Sequence, residues 1–212
     1  MVNAPPTLKT DVWTKATWDE FLSLAARPEL GKARFYYDDG RMRIETMPIG
    51  LAHSRDNSIL AAVITLYGAL KNIQSVTYTN GSFRKVGERE CQPDLAYYIG
   101  PDMRLPLKSN QPLDINQYGP PQLAIEIFAT TLSDDLGEKR LLYERLGVSE
   151  YWVVDVAEAT VIAFSISNGG SYRIQTSAVL PDLSISVIEE ALRRSQTEND
   201  GVINRWLLEQ FG

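Results

Sequence analysis

The chain of 212 residues is 44% hydrophobic and 23% charged, with a formal net charge of −6 and one cysteine, Cys91. A lone thiol excludes an internal disulfide framework, and no apolar run approaches the roughly 20 residues that a membrane helix needs. With no charged-then-apolar leader pattern at the N-terminus, the reading is a cytoplasmic protein without membrane contact, whose acidic balance disfavours a broad basic grip on nucleic acid but allows a small basic cleft.

In chain order, Met1–Thr10, with Pro5 and Pro6, reads as a flexible lead-in. Trp13–Leu30 then reads as helical. Thr17 and Glu20 have capping-box spacing, Phe21, Leu22 and Leu24 supply an apolar side, and Pro28 limits the end. Arg34–Glu45 reads as a hairpin, because Asp39-Gly40 suits a turn that needs positive φ. Ile59, Ala62, Val63, Leu66 and Leu70 recur at helical spacing and predict a long helix over Ser54–Lys71.

Val76–Val86 is strand-like, with Asn80-Gly81 as a turn or bulge. Leu95–Ile99 is a strand opened by Pro93. Residues 100–121, rich in proline, form a long irregular stretch. Gln122–Phe128 is apolar on both faces and reads as a central strand. A helix follows over Leu132–Leu146, capped by Thr131 with Asp134 and closed by Gly147. Tyr151–Val156 is a second buried strand, and Val161–Ile166 with Tyr172–Gln175 makes a hairpin around Asn168-Gly169-Gly170. Helical segments over Ile188–Arg194 and Val202–Phe211 complete the chain. Without repeats or a clear linker, residues 1–212 read as one domain.

Glu126 carries the most chemical information. Its neighbours place it mid-strand, and burying an unpaired carboxylate costs several kcal/mol. A metal, another cation or a proton must offset that cost, and a structural ion pair is the competing explanation. Asp94 opens a strand of the same expected sheet, and two carboxylates from neighbouring strands can converge on a hard cation. Lys139 and Tyr143 share one face of the next helix at i and i+4, with Asp135 one turn earlier. The plain reading of Asp135 and Lys139 is an exposed pair worth about 0.3–0.5 kcal/mol. His53, the sole histidine, sits just before the long helix, close to Glu45. It is a capping residue or a ligand, and Glu45 is a further site carboxylate or a hairpin-end residue. Paired-cysteine zinc spacing, a P-loop and a nucleophile elbow are all absent, and one histidine excludes a multi-histidine metal site.

These residues also follow a family order. A glycine-bearing hairpin precedes His53, a long helix and Pro93-Asp94. Then come Gln122-Leu123-Ala124-Ile125-Glu126, Ser133-Asp134-Asp135, Lys139 and Tyr143, and the run Gly147-Val148-Ser149-Glu150-Tyr151-Trp152-Val153-Val154-Asp155. Over about residues 15–190 the chain resembles a large bacterial family of putative restriction endonucleases, formerly a domain of unknown function, within the PD-(D/E)XK nuclease superfamily. The resemblance implies an α/β (α+β) fold with a mixed central sheet flanked by helices and an N-terminal helix and hairpin. It implies Asp94 and Glu126 as ligands of Mg²⁺ or Mn²⁺. The superfamily lysine normally lies two residues beyond the second acid, where this chain has Phe128, so Lys139 takes the catalytic role. His53, Glu45 and Tyr143 are expected in support.

The implied activity is metal-assisted hydrolysis of DNA phosphodiesters by a homodimer. The alternative is a catalytically degenerate module that binds nucleic acid or a protein, favoured by the acidic charge and Phe128. A third reading is hydrolysis of another phosphoester.

Overall fold

The computed structural model describes residues 8–46, 50–106, 108–128 and 132–212. Thr131, expected as a helix cap, and most of the expected flexible lead-in lie outside them.

The chain begins with a short strand β1 (Thr14–Lys15), helix α1 (Trp18–Ala25) and the hairpin β2 (Arg34–Asp38) and β3 (Arg41–Glu45). The expected helix over Trp13–Leu30 is thus trimmed at both ends. Thr14 and Lys15 pair with Met42 and Arg41. The capping box then starts the helix where its chemistry dictates: the Thr17 backbone N–H donates to Glu20 at 2.7 Å, and the Glu20 N–H donates to Thr17 Oγ1 at 3.3 Å. Pro28–Leu30 forms a separate 3₁₀ turn. In the hairpin, Asp39 and Gly40 both take positive φ, at 40° and 87°. That is the two-residue turn whose twist matches the strands.

Helix α2 (Leu51–Leu70) starts at Gly50, so His53 lies within its first turn rather than before it. Strands β4 (Ser75–Thr79) and β5 (Phe83–Lys85) follow, but they belong to different sheets. Asn80, at φ 52°, is where the chain crosses between them. The expected Val76–Val86 strand is therefore two strands. Next come β6 (Arg89–Cys91) and β7 (Leu95–Ile99). The irregular 100–121 stretch holds β8 (Leu113–Asp114) and the single turn α3 (Ile115–Tyr118).

Strand β9 (Leu123–Phe128) is buried along its whole length. A helical segment follows as α4 (Leu132–Asp134), a π turn (Asp135–Lys139) and α5 (Arg140–Leu146), closed by Gly147 at φ 83°. Strands β10 (Glu150–Asp155), β11 (Thr160–Ser167) and β12 (Gly170–Ile174) and helices α6 (Ile185–Ser195) and α7 (Asp200–Phe211) complete the chain. The tail helices run longer than expected because Ser184 and Asn199 cap them, accepting from Ser186 and Val202.

One sheet runs β12-β11-β10-β9-β7-β4 and the other β1-β3-β2-β6-β5-β8. The first is the mixed central sheet, with β9 parallel to β10 and antiparallel to β7. Side chains alternate along β9. Leu123, Ile125 and Ile127 face the core shared with α2, α6 and α7, whereas Ala124 and Phe128 face Tyr36, Phe83, Leu142 and Tyr143. Glu126 alternates with the second set and so points into the seam between the two sheets. A third cluster packs α1 on the hairpin through Phe21, Phe35, Tyr37 and Ile44.

Candidate active site

The register of β7 and β9 pairs Leu95 with Ile125. The next residue outward, Asp94, therefore lies level with Glu126, and the Ile127 backbone N–H donates to Asp94 Oδ2 at 2.8 Å. Two carboxylates from adjacent strands meet at the sheet's end, both almost fully buried.

Each is held by partners from other elements. His53 Nε2, on the first turn of α2, lies 3.2 Å from Asp94 Oδ1. Arg34, at the start of β2, pairs with the same oxygen. Tyr143, on α5, donates to Glu126 Oε1 at 2.7 Å, and Tyr36, on β2, donates to that oxygen at 3.1 Å. Lys139 projects from the π turn. Its Nζ lies 2.9 Å from Glu45 Oε1, 3.0 Å from Asp135 Oδ1 and 3.6 Å from Glu126 Oε2, and 4.4 Å over the Tyr36 ring. Arg43 ties Glu45 and Asp134 at 2.8 and 3.0 Å.

The six residues singled out from the sequence, Asp94, Glu126, Lys139, His53, Glu45 and Tyr143, thus gather in one connected cluster. Asp135 and Lys139 are 1% and 2% exposed, so the plain reading of a solvated pair is wrong. Their segment is pressed into the seam, and Tyr151 donates to the Asp135 carbonyl at 3.0 Å. Arg34, Tyr36 and Arg43 were not anticipated. A signal existed, since Arg34 and Tyr36 alternate on one face of β2 and Arg43 and Glu45 on the matching face of β3.

The electrostatics follow from burial. Desolvation pushes the Glu126 carboxyl up to about 8, with Lys139 opposing and Asp94, Asp135 and Glu45 reinforcing the shift. Desolvation works to lower the Lys139 pKa, but Glu126, Asp135 and Glu45 together hold it well above its usual value. Glu45 is likewise desolvated, yet Lys139 and Arg43 keep it below the usual carboxylate range. Burial also acts against ionised Asp94, and His53 and Arg34 overcome it. The lysine is a fixed positive charge inside an acidic cluster, and of Glu45, Asp94 and Glu126 only Glu126 is pushed upward.

Tyr143→Phe removes the shorter of the two phenol bonds to Glu126. We expect a loss of about 1–2 kcal/mol in urea unfolding, limited because Tyr36 still donates to the same oxygen. A neutral result would show that Tyr143 contributes only its ring, stacked on Tyr151 at 4.6 Å.

A cleft of about 1480 Å³ lies beside the site, without Asp94 or Glu126 in its wall. Its wall reaches Asp94 and Glu126 through Asn80, which accepts from Arg34 at 2.8 Å, and Gln92, whose carbonyl lies 3.0 Å from the Tyr36 hydroxyl.

A family model described as Uma2, putative restriction endonuclease, matches residues 18–199. Among solved structures, that of a putative nuclease belonging to DUF820 from Anabaena variabilis ATCC 29413 is similar, with a TM-score of 0.58 at 21% identity, covering 84% of this chain and 99% of that one. At that identity the likeness concerns the fold. No curated protein gives a match.

Proposed function

The chain belongs to the Uma2 family of putative restriction endonucleases, and from that premise we propose that it is a metal-dependent endonuclease hydrolysing DNA phosphodiester bonds, with Asp94, Glu126 and Lys139 as catalytic residues. The observation that carries this reading is the meeting of Asp94 and Glu126 on neighbouring strands with the Lys139 ammonium 3.6 Å from Glu126. Phe128, at the usual lysine position, is buried in the core on the same side as Ala124, and Lys139 supplies the positive charge from the following helix instead.

The donor set fits Mg²⁺ or Mn²⁺. Asp94 and Glu126 offer hard carboxylate oxygens, and Glu126 is a buried acid that a cation would stabilise. Among the described residues no group of three or more His, Cys, Asp or Glu side chains is arranged to hold an ion. Asp94 and Glu126 would be its protein ligands, and Mg²⁺ commonly takes only one or two carboxylates from a protein. When bound, the ion would polarise a phosphate oxygen and lower the pKa of an attacking water.

The chain's own residues set the stage for that chemistry. Ile127 N–H and His53 fix the Asp94 carboxylate, and Tyr36 and Tyr143 fix Glu126. Lys139 stays protonated among its acids and offers a preorganised charge for the negative charge developing on the phosphate. Among the described residues no helix is long and apolar enough to cross a membrane. We place the enzyme in the cytoplasm as a homodimer, because cutting both strands takes two sites.

The burial of Asp94, Glu126 and Lys139 favours a second reading, a catalytically silent module that binds nucleic acid or a protein. Mg²⁺ and Mn²⁺ titrations into the wild type, Asp94→Asn and Glu126→Gln, with plasmid and single-stranded DNA cleavage in parallel, separate the two. The nuclease reading expects metal binding with cleavage, and a loss of cleavage of at least a hundredfold in either variant. Metal binding without cleavage supports the silent module or another phosphoester substrate. No binding by the wild type at millimolar metal with DNA present removes the metal site.

A further inference from the structure

Both oxygens of Asp94 are already engaged. Oδ2 accepts from the Ile127 backbone at 2.8 Å, and Oδ1 faces His53 at 3.2 Å and Arg34. These partners differ in freedom. Ile127 N–H belongs to a fully buried strand, and His53 is anchored in the first turn of a long helix. Arg34 is a long side chain at the first residue of β2, its side chain 14% exposed, and its Nη2 also donates to Asn80 Oδ1 at 2.8 Å. Asn80 is the crossing point between the sheets and lines the large cleft, whose wall also carries Lys108, Asp114 and the ion pair of Arg84 with Glu90. Lys139, by contrast, is enclosed by Glu45, Asp135 and Glu126.

A guanidinium cannot relieve crowding by losing a proton, so beside a second cation it must move. The side chain it already touches leads into the cleft. A displaced guanidinium is also well suited to a phosphate, which it can bind with two parallel hydrogen bonds.

We propose that Arg34 is the resident counter-cation of Asp94, and that a divalent ion at Asp94 displaces it toward the Asn80 wall of the cleft, where it binds a phosphate of a nucleic-acid strand. The inference rests on the metal-dependent reading above. It makes Arg34 a link between ion and substrate: ion binding is held back by an internal competitor, and the competitor's release strengthens strand binding.

Two affinities test this in wild type, Arg34→Gln and Arg34→Lys. Calorimetry gives Mn²⁺ binding to the protein alone. Fluorescence anisotropy gives binding of a labelled phosphorothioate 12-mer, which resists cleavage, with and without saturating Mn²⁺. Arg34→Gln should bind Mn²⁺ roughly tenfold more tightly than the wild type, a typical coupling magnitude. Mn²⁺ should tighten 12-mer binding by about tenfold in the wild type and by less than about twofold in Arg34→Gln. Arg34→Lys, which keeps the charge without the planar fork, should stay near wild type for Mn²⁺ and lose part of the 12-mer enhancement.

Equal or weaker Mn²⁺ binding by Arg34→Gln overturns the proposal and makes Arg34 an organiser of Asp94. A full 12-mer enhancement in Arg34→Gln overturns the phosphate role. Mn²⁺ binding by Arg34→Gln but not by wild type supports the competition. Absence of Mn²⁺ binding in all three proteins, alone and with 12-mer, sinks the metal site itself and this inference with it.

Discussion

Glu126→Gln yields a protein that cleaves no DNA yet, without metal at pH 8, unfolds about 4–8 °C above the wild type, on the scale of roughly 2 kcal/mol for a chain of this size. The wild-type carboxyl is pushed from an ordinary 4.5 up to about 8 by burial. Between those values the unfolded chain carries an ionised Glu126 while the folded chain keeps it protonated. The folded state's advantage is complete below pH 4.5 and is lost as pH rises through about 8. The amide still accepts from Tyr143 and Tyr36 but has no charge to bury. The gain should therefore vanish near pH 4 and be largest near pH 9, as thermal unfolding at a series of pH values reads directly. Saturating Mg²⁺ should narrow the gap by stabilising the wild-type carboxylate. A variant less stable than wild type at pH 8 would show that the acid holds the seam together, and the proposed strain at Glu126 would be wrong.

Lys139→Met has the opposite effect and a larger one. Glu45, Asp135 and Glu126 lose the ammonium they share at 2.9, 3.0 and 3.6 Å. Removing one partner from a buried ionic cluster typically costs about 3–5 kcal/mol, because the remaining charges stay desolvated. Arg43 still neutralises Glu45 at 2.8 Å, so this acid bears less of the cost. Burial then acts on the Glu126 carboxyl without the opposing ammonium and pushes it further above its ordinary range. Because wild-type Glu126 already stays protonated up to about 8, the penalty relative to wild type should grow above that pH and be smaller at about pH 6 than at about pH 9.5. Urea unfolding at both pH values checks this. A penalty of equal size at about pH 6 would instead assign it to lost packing on the Tyr36 ring.

The long, strongly patterned elements could be read from the sequence because their patterns repeat. The alternation in Gln122–Phe128 located the central strand, and Asp39-Gly40 located the hairpin. Strands β1, β6 and β8 escaped because two or three residues cannot show a period. Asn80-Gly81 announced a turn, but a turn signal says nothing about which sheet the chain joins next. Glu126 stood out because a charge inside an apolar run needs an explanation. Arg34 and Tyr36 did not, because a half-polar hairpin face looks solvated until a second sheet covers it. The burial of Asp135 and Lys139 depends on how the π turn seats against the seam, and nothing in the local spacing encodes that.

The hairpin turn has a consequence beyond stability. On β2 the even-numbered Arg34 and Tyr36 serve the acids while the odd-numbered Phe35 and Tyr37 feed the α1 core. On β3 the odd-numbered Arg43 and Glu45 serve the site, and Ile44 lies in that core. Asp39 and Gly40 set this parity. One residue added to the turn would offset the strands, and keeping the Arg34–Glu45 alignment would invert one of them, swapping its chemical face for its greasy one. The candidate cluster is therefore counted out by the length of a surface turn.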